Sequence, residues 1–489
     1  MPPGLNVDAH LADAELRRAL AGRQLVTFDR FTSAGRTCVL GPKPVGGARP
    51  ELAVGYYSSW PSARVARLVL AAEERSGWRD GESKHRWLAD LGCEVAVACR
   101  GLRGKPLFAA WYEEPTLARI AKAVGGELLT IPAAVRATLE DKTRLDALLR
   151  SAGVRERLCI PTVDAAGTPS YAEITASLGD RLVVQSAITS GGRGTVFVND
   201  RARYEETIRR GGPWRISQFV DGFSSNITVL TVPKPRGCAV YVDQPSHKPV
   251  GIPKLGISVA KGAGNDWSPP WPRALSEELV EAIARIGEYL YTTYRLIGLW
   301  GVDAIWADGR VVINEINVRN QGTTELSGVN QILRGLPPLL VAHLTVLAGG
   351  SVSWLPSADE FNTETVSRAA SGGRGPFYVK LRNLHQHPVT PGPGWQGSGV
   401  YRLDDSGELI WLRAGAHPTD GDLDKNEVLL ANSPAAGVAC APGAELGTAE
   451  GVTTRPLFSA PAELSPLGAA LHRTVLSAFI RREPERTQL

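Results

Sequence analysis

The stretch from Leu299 to Glu325, LWGVDAIWADGRVVINEINVRNQGTTE, restricts this chain more than any other. LWGVDAIW is rich in β-branched and aromatic residues and VVINEI alternates apolar with polar, which predicts two strands. Between them, Ala307-Asp308-Gly309 has the composition of a three-residue hairpin loop ending in a left-handed glycine. Side chains alternate with period two along a strand, so Val311, Ile313, Glu315 and Asn317 are expected on one face. A three-residue loop puts Asp303 opposite Ile313, diagonal to Glu315 and on that same face. A two-residue loop would turn it away. One face then gathers Asp303, Glu315 and Asn317.

Three oxygen-bearing side chains followed by Arg319 suit a hard divalent ion. Magnesium is commonly held by one or two carboxylates together with substrate phosphates. A lone Asp and Glu on a hairpin is more often a merely wet surface. Here the run Asn317-Val318-Arg319-Asn320-Gln321-Gly322-Thr323-Thr324-Glu325 is too dense in polar types for a routine connection, and Asn314 and Asn317 are poor strand formers.

The totals exclude several classes. A chain of 489 residues has room for roughly two to four domains, and 43% hydrophobic with 21% charged is ordinary for a globular protein. The net charge is only +4 and no dense Lys/Arg run occurs, so neither nucleic acid nor an anionic membrane is called for. Six cysteines without a CxxC pair read as buried reduced thiols, not as a disulfide frame or zinc site. The opening MPPGLNVDAHLADAELRR lacks the apolar core of a signal peptide, and no run approaches ~18 apolar residues, so a soluble cytoplasmic protein is expected.

Before residue 115 the pattern predicts an amphipathic helix over 8–21, strands at Leu25–Phe28 and Cys38–Leu40, a long helix from Pro61 to Arg75, a helix near Lys84–Leu91 and a strand at Cys93–Ala98. This alternation suggests a small α/β domain with a partly parallel sheet. Helices follow, including one continuous run from AVRATLEDKTRLDALLR to Gly153. RLVVQ then leads through SAITSGGRG into TVFV. A strand, a glycine-rich loop and a second strand can close backbone N–H groups over phosphates, since glycine permits close approach. It is not a Walker loop, because the GK[ST] is missing. The segment Pro245 to Pro272 is so rich in Pro and Gly that no helix or central strand is expected, only a mobile connection near a substrate, with Lys248, Lys254 and Lys261 on it. A helix from Ser276 to Tyr294 leads back to the hairpin. Beyond Gly350 come strands at Phe377–Leu381, Val400–Leu403 and Glu408–Leu412, then a closing helix after Ser465-Pro466. His385 and His387 share a face but lack a third ligand.

The strand carboxylate Asp303, followed 12 residues later by Glu315-x-Asn317-x-Arg319, resembles the signature of the ATP-grasp ligases. The resemblance covers roughly residues 116 to 350. It implies that Asp303, Glu315 and Asn317 hold Mg²⁺ on the phosphates of ATP and that Arg319 contacts the transferred phosphoryl group or the acyl phosphate. Asp141-Lys142-Thr143 resembles the entry of the nucleotide core, with Lys142 on the phosphates. Ser190, Gly191, Gly192 and Gly194 match the phosphate-covering loop. Gln218, Phe219 and Val220 match the hinge whose backbone pairs with the adenine edge, and Asn226 falls where the family often has an acidic residue near the ribose. One departure is Gln185, where the family usually has a lysine; Lys142 and Arg193 would then supply the positive charge.

The fold implied is α/β (α+β): an N-terminal α/β domain over 1–115, which helps form a substrate site, an ATP-grasp domain over 116–350, and a C-terminal β-rich region over 351–489. The activity implied is that of a ligase using ATP and Mg²⁺. It would convert a small-molecule carboxylate to an acyl phosphate and join it to an amine, an amino acid or small peptide, as in the making of peptides and amide metabolites. No biotinyl-lysine motif points to a carboxylase, and a homodimer is allowed. Two alternatives stay open: a thiol acceptor on a carrier protein, and a nucleotide-binding regulator without activity, for which Gln185 is the best argument.

Overall fold

The computed structural model describes residues 9–28, 50–57, 68–81, 83–163, 169–189, 191–392, 395–404, 408–415 and 417–479. Near the N-terminus, five parallel strands lie in the order Leu68–Ala71, Leu52–Gly55, Arg23–Phe28, Lys105–Ala110, Glu127–Leu129. Their apolar runs are buried, as both faces of a parallel sheet require. The helix Ala9–Ala19 packs Ala12 and Leu16 in one core with Leu25 and Leu107 of this sheet and with Leu340 and Leu344 of the helix Leu339–Leu347.

Several expectations are corrected here. The helix near Lys84 and the strand Cys93–Ala98 form one helix, Ser83–Arg100. CEVAVA alternates like a strand, but the buried residues Leu91, Val95 and Cys99 recur every fourth position, which is one helical face. In place of the end of the helix Pro61–Arg75 stand the strand Leu68–Ala71 and one helical turn, Glu73–Ser76. The strand expected at Cys38–Leu40 lies outside the described residues, and the strand Lys105–Ala110 was not anticipated. The continuous helix ending near Gly153 is broken into Ala133–Leu139, a 3₁₀ turn Lys142–Arg144, and Leu145–Ser151. Asp141 causes the break by accepting hydrogen bonds from the Thr143 amide and hydroxyl, a local alternative to the helical ladder.

Two further sheets build the middle and the end of the chain. The smaller has the strands Thr162–Val163, Trp214–Gln218, Leu182–Ser186 and Thr195–Val198, all antiparallel. The larger has 11 strands. It begins with the hairpin Arg310–Asn317 and Gly298–Ala307, continues through Phe223–Pro233, Ser246–His247 and Gly264–Asp266, and passes into Gly375–Arg382, Glu445–Thr453, Glu427–Ala431, Gly399–Leu403 and Leu409–Arg413, while Cys238–Val242 pairs with Phe223–Pro233 beside this path. The proline-rich segment is therefore not a loose connection. It contributes two short strands to the sheet and buries Ile252, Leu255 and Ile257 in a core with Phe377 and Leu381. Its prolines fall outside those strands, where no ladder amide is needed.

The hairpin's apolar face, Val302, Ala304, Trp306, Val311, Ile313 and Ile316, packs on the helix Arg273–Tyr294. That helix answers with Leu279, Ala282, Ile283, Ile286 and Leu290, at helical spacing. Among the described residues no helix is long and apolar enough to cross a membrane. The described cysteines are free thiols, and Cys93, expected to be buried, is exposed.

Candidate active site

The hairpin forms, with a different turn and register from those expected. Ala307 pairs with Arg310, so the loop has two residues, Asp308 and Gly309, with φ of 37° and 72°. Such a loop alone would turn Asp303 away from Glu315. The register shifts between Asp303 and Ala304, so that Ala304 pairs with Ile313 and Asp303 with Glu315, leaving Asn314 as an extra, unpaired residue. The bulge also breaks the face expected to hold Val311, Ile313, Glu315 and Asn317. Val311 and Ile313 go to the core, while Glu315 lies directly opposite Asp303.

Each carboxylate meets a lysine. Lys248 Nζ lies 2.6 Å from Asp303 Oδ2, and Lys142 Nζ lies 3.0 Å from Glu315 Oε1. Lys142 also donates to the Thr189 carbonyl at 2.9 Å and is 6% exposed, so it ties the glycine-rich loop to the hairpin. Asn226, expected near a sugar, is paired with Asp303 across neighbouring strands and donates to its Oδ1 at 2.6 Å. The side-chain oxygen of Asn226, Oδ1, in turn accepts from Thr323 Oγ1 at 2.5 Å. Asn317 faces Gly301, and its Oδ1 accepts from Arg319 at 2.6 Å. Arg319 also reaches Glu140 Oε1 at 3.2 Å. Burial pushes the Glu140 carboxyl above its usual range, and the Arg319 charge pulls it part of the way back.

Next to this cluster, Gln321 lies over Gly301, where any Cβ would collide with it. Its Oε1 is buried without a hydrogen-bond partner. The glycine-rich loop has Gly191, Gly192 and Gly194 at positive φ, and Gly192 packs so closely on the Ala260 carbonyl that a side chain there would clash. Arg193 is exposed on this loop, and Ser190 lies outside the described residues. Gln218 and Phe219, expected to offer backbone groups to a base, already donate their amides to the Pro161 and Arg181 carbonyls at 3.0 and 2.9 Å, which leaves their carbonyls and Val220 for that role. Gln185 is buried and accepts from Arg215 at 3.1 Å. His385 and His387 have ring centroids 5.1 Å apart; among the described residues no group of three or more His, Cys, Asp or Glu is placed to hold a metal ion by itself.

Sequence reasoning missed Arg215, Glu140, Gln321 and Thr323. Gln321 and Thr323 stood inside a run already marked as too polar. Nothing local marked Arg215 or Glu140, whose partners are 30 and 179 positions away. Lys248 was noted only as a charge on a mobile segment.

The two antiparallel sheets, the glycine-rich loop and the facing carboxylates are those of an ATP-grasp fold. No profile of a known protein family matches the chain. In structure it is similar to biotin carboxylase from Campylobacter jejuni, solved as a β,γ-ATP complex, with a TM-score of 0.58 at 13% identity over 89% of each chain. The biotin carboxylase domain dimer of Hydrogenobacter thermophilus 2-oxoglutarate carboxylase, solved with MgADP, ADP and bicarbonate, gives 0.55 at 12% identity, over 88% of this chain and 86% of that one. In sequence the chain is similar to formate-dependent phosphoribosylglycinamide formyltransferases. It is 26% identical to the Pelobacter propionicus enzyme over 215 residues, 42% of this chain and 51% of that one. With the Bacillus subtilis enzyme the figures are 25% over 213 residues, 40% and 51%. The chain thus spans about half the length of the relatives it matches.

Proposed function

We propose that this protein is an ATP-dependent ligase that activates a carboxylate as its acyl phosphate and passes the acyl group to an amine, releasing ADP and phosphate. The observation that carries the reading is the direct pairing of Asp303 with Glu315, with Asn317 and Arg319 completing the set. All three potential ligands present hard oxygen atoms, which fits Mg²⁺ and not a soft metal. Bound there, Mg²⁺ would neutralise charge on the phosphates. An acid as substrate is supported by the formate dependence of the sequence relatives and the bicarbonate in one structural relative.

The chain's own residues supply the rest. Arg319, held between Asn317 and Glu140, presents fixed positive charge where negative charge gathers on the transferred phosphoryl group. Lys142 and Lys248 neutralise the carboxylates and stand ready to meet phosphate oxygens. The glycine-rich loop, resting on Ala260, keeps water from the acyl phosphate.

The second substrate would enter by a narrow crevice outside the carboxyl ends of Arg23–Phe28 and Lys105–Ala110, where the strand order of the parallel sheet reverses. Phe28 and Trp111 give it apolar walls; Thr27, Asn320, Thr324 and Glu325 give it polar ones. Thr27 Oγ1 and Asn320 Oδ1 are buried without partners. A hydroxyl and an amide oxygen among apolar walls can accept from an amine carried on an apolar body. The test is incubation with Mg²⁺, ATP and hydroxylamine against pools of carboxylic acids. Hydroxamate with stoichiometric ADP is expected; AMP and pyrophosphate would overturn the reading.

A further inference from the structure

Gln185 and Arg215 are directly paired residues on neighbouring strands of the smaller sheet. They lie on the face away from Val184 and Ile216, which pack on that sheet's helices. Gln185 is 6% exposed and Arg215 3%. Arg215 Nη1 donates to Gln185 Oε1 at 3.1 Å, and its Nε lies 3.5 Å from Asp146 Oδ2. Arg215 Nη2 and Asp146 Oδ1 are both buried without partners, so the guanidinium is only loosely compensated.

A guanidinium has donors and no acceptor. The atom of Gln185 that faces it must therefore be the carbonyl oxygen, whichever way the amide is assigned. The amide nitrogen, with two N–H groups, is the end left over for a ligand. We propose that Gln185 and Arg215 form one phosphate-binding unit: Gln185 gives N–H donors to the nucleotide's phosphate chain, while Arg215, a positioning residue, fixes that orientation and supplies positive charge behind it. The inference rests on the ATP-dependent reading above. Position 185 then presents what a lysine would present, donors and a positive charge, with the charge moved one strand sideways. Buried charge so close is little screened by salt.

The unit predicts an unusual pattern. Gln185→Lys sets an ammonium against a buried guanidinium and should weaken both folding and binding, although it restores the residue usual in ATP-grasp proteins. Gln185→Lys with Arg215→Gln returns the charge to the first strand and should bind well. Gln185→Glu keeps the contact with Arg215 as an ion pair, so the fold is retained, but it removes the N–H donors and neutralises the charge.

The experiment is MgADP binding by calorimetry to the full chain, with thermal melts taken without nucleotide. Gln185→Glu and Arg215→Gln should each weaken binding by roughly tenfold or more, and the Gln185→Glu melting temperature should not fall. The double variant should bind within about threefold of the original protein. Unchanged binding in Gln185→Glu, or a double variant that merely sums the two single losses, would overturn the unit. If Arg215→Gln does not fold, Gln185→Glu decides alone. If the unaltered protein binds no MgADP, the ATP-dependent reading itself fails; binding that all variants share sinks only the unit.

Discussion

Asp303 and Glu315 face each other across the hairpin because Asn314 is an extra residue in the second strand. Without the extra residue, the two-residue turn would have placed an amide opposite Asp303. The carboxylates keep separate lysines, Lys248 and Lys142, so their charges are offset from opposite sides of the cluster.

Glu315→Gln retains size and hydrogen bonding but removes one negative charge from the proposed metal shell. Losing such a contact costs roughly 3 to 4 kcal/mol of transition-state stabilisation, or on the order of a hundred- to a thousandfold in rate. Asn314→Ala, at the unpaired position, should leave the chemical step nearly intact. Single-turnover ADP release compares them, and equal losses would remove the facing pair from the chemistry.

Gly192→Ala tests the loop. Its φ of 75° and the Ala260 carbonyl leave no room for a side chain, so the loop must lift from the segment that it rests on. ATP hydrolysis without acyl transfer should rise relative to productive turnover as water enters. An unchanged ratio of phosphate to amide product would show that this contact does not exclude water.

His247 ties stability to pH. Burial lowers its pKa from 6.5 to about 4, and its Nε2 has no partner among the rings of Phe223, Trp271 and Phe458. Between these values the unfolded chain binds a proton that the folded chain refuses, so stability present above pH 6.5 is lost as pH falls toward 4. His343 and His472, also lowered to about 4 by burial, add to the same window. His247→Phe should reduce this slope in urea titrations at pH 7 and pH 5; an identical slope would exclude the residue.

Arg79 and Glu73 are both fully buried and joined by two hydrogen bonds, of 2.5 and 2.8 Å. Arg79 also donates to the Asn432 and Glu445 carbonyls, which fastens the first part of the chain to the last. Arg79→Met leaves a carboxylate buried without its cation and should cost about 3 to 5 kcal/mol. Denaturant unfolding measures it, and a midpoint unchanged from the original protein would contradict this account.

By itself the sequence determined the elements whose signals are local. The existence of the hairpin, the spacing of Asp303, Glu315, Asn317 and Arg319, the glycine-rich loop between two strands and the helix ending at Tyr294 rest on signals that act over a few residues, and these were legible, although the hairpin's turn length was not. Tertiary structure decided what depends on distant partners. A bulge at Asn314 is chosen by which strand residues fill the core, and one residue of slip exchanges every face. CEVAVA became helix because Leu91, Val95 and Cys99 found a core to enter. The proline-rich segment became sheet because strands on either side offered it hydrogen bonds. Arg215 became visible only once its strand lay beside Gln185, since pairing across a sheet, not proximity in the chain, sets which charges meet.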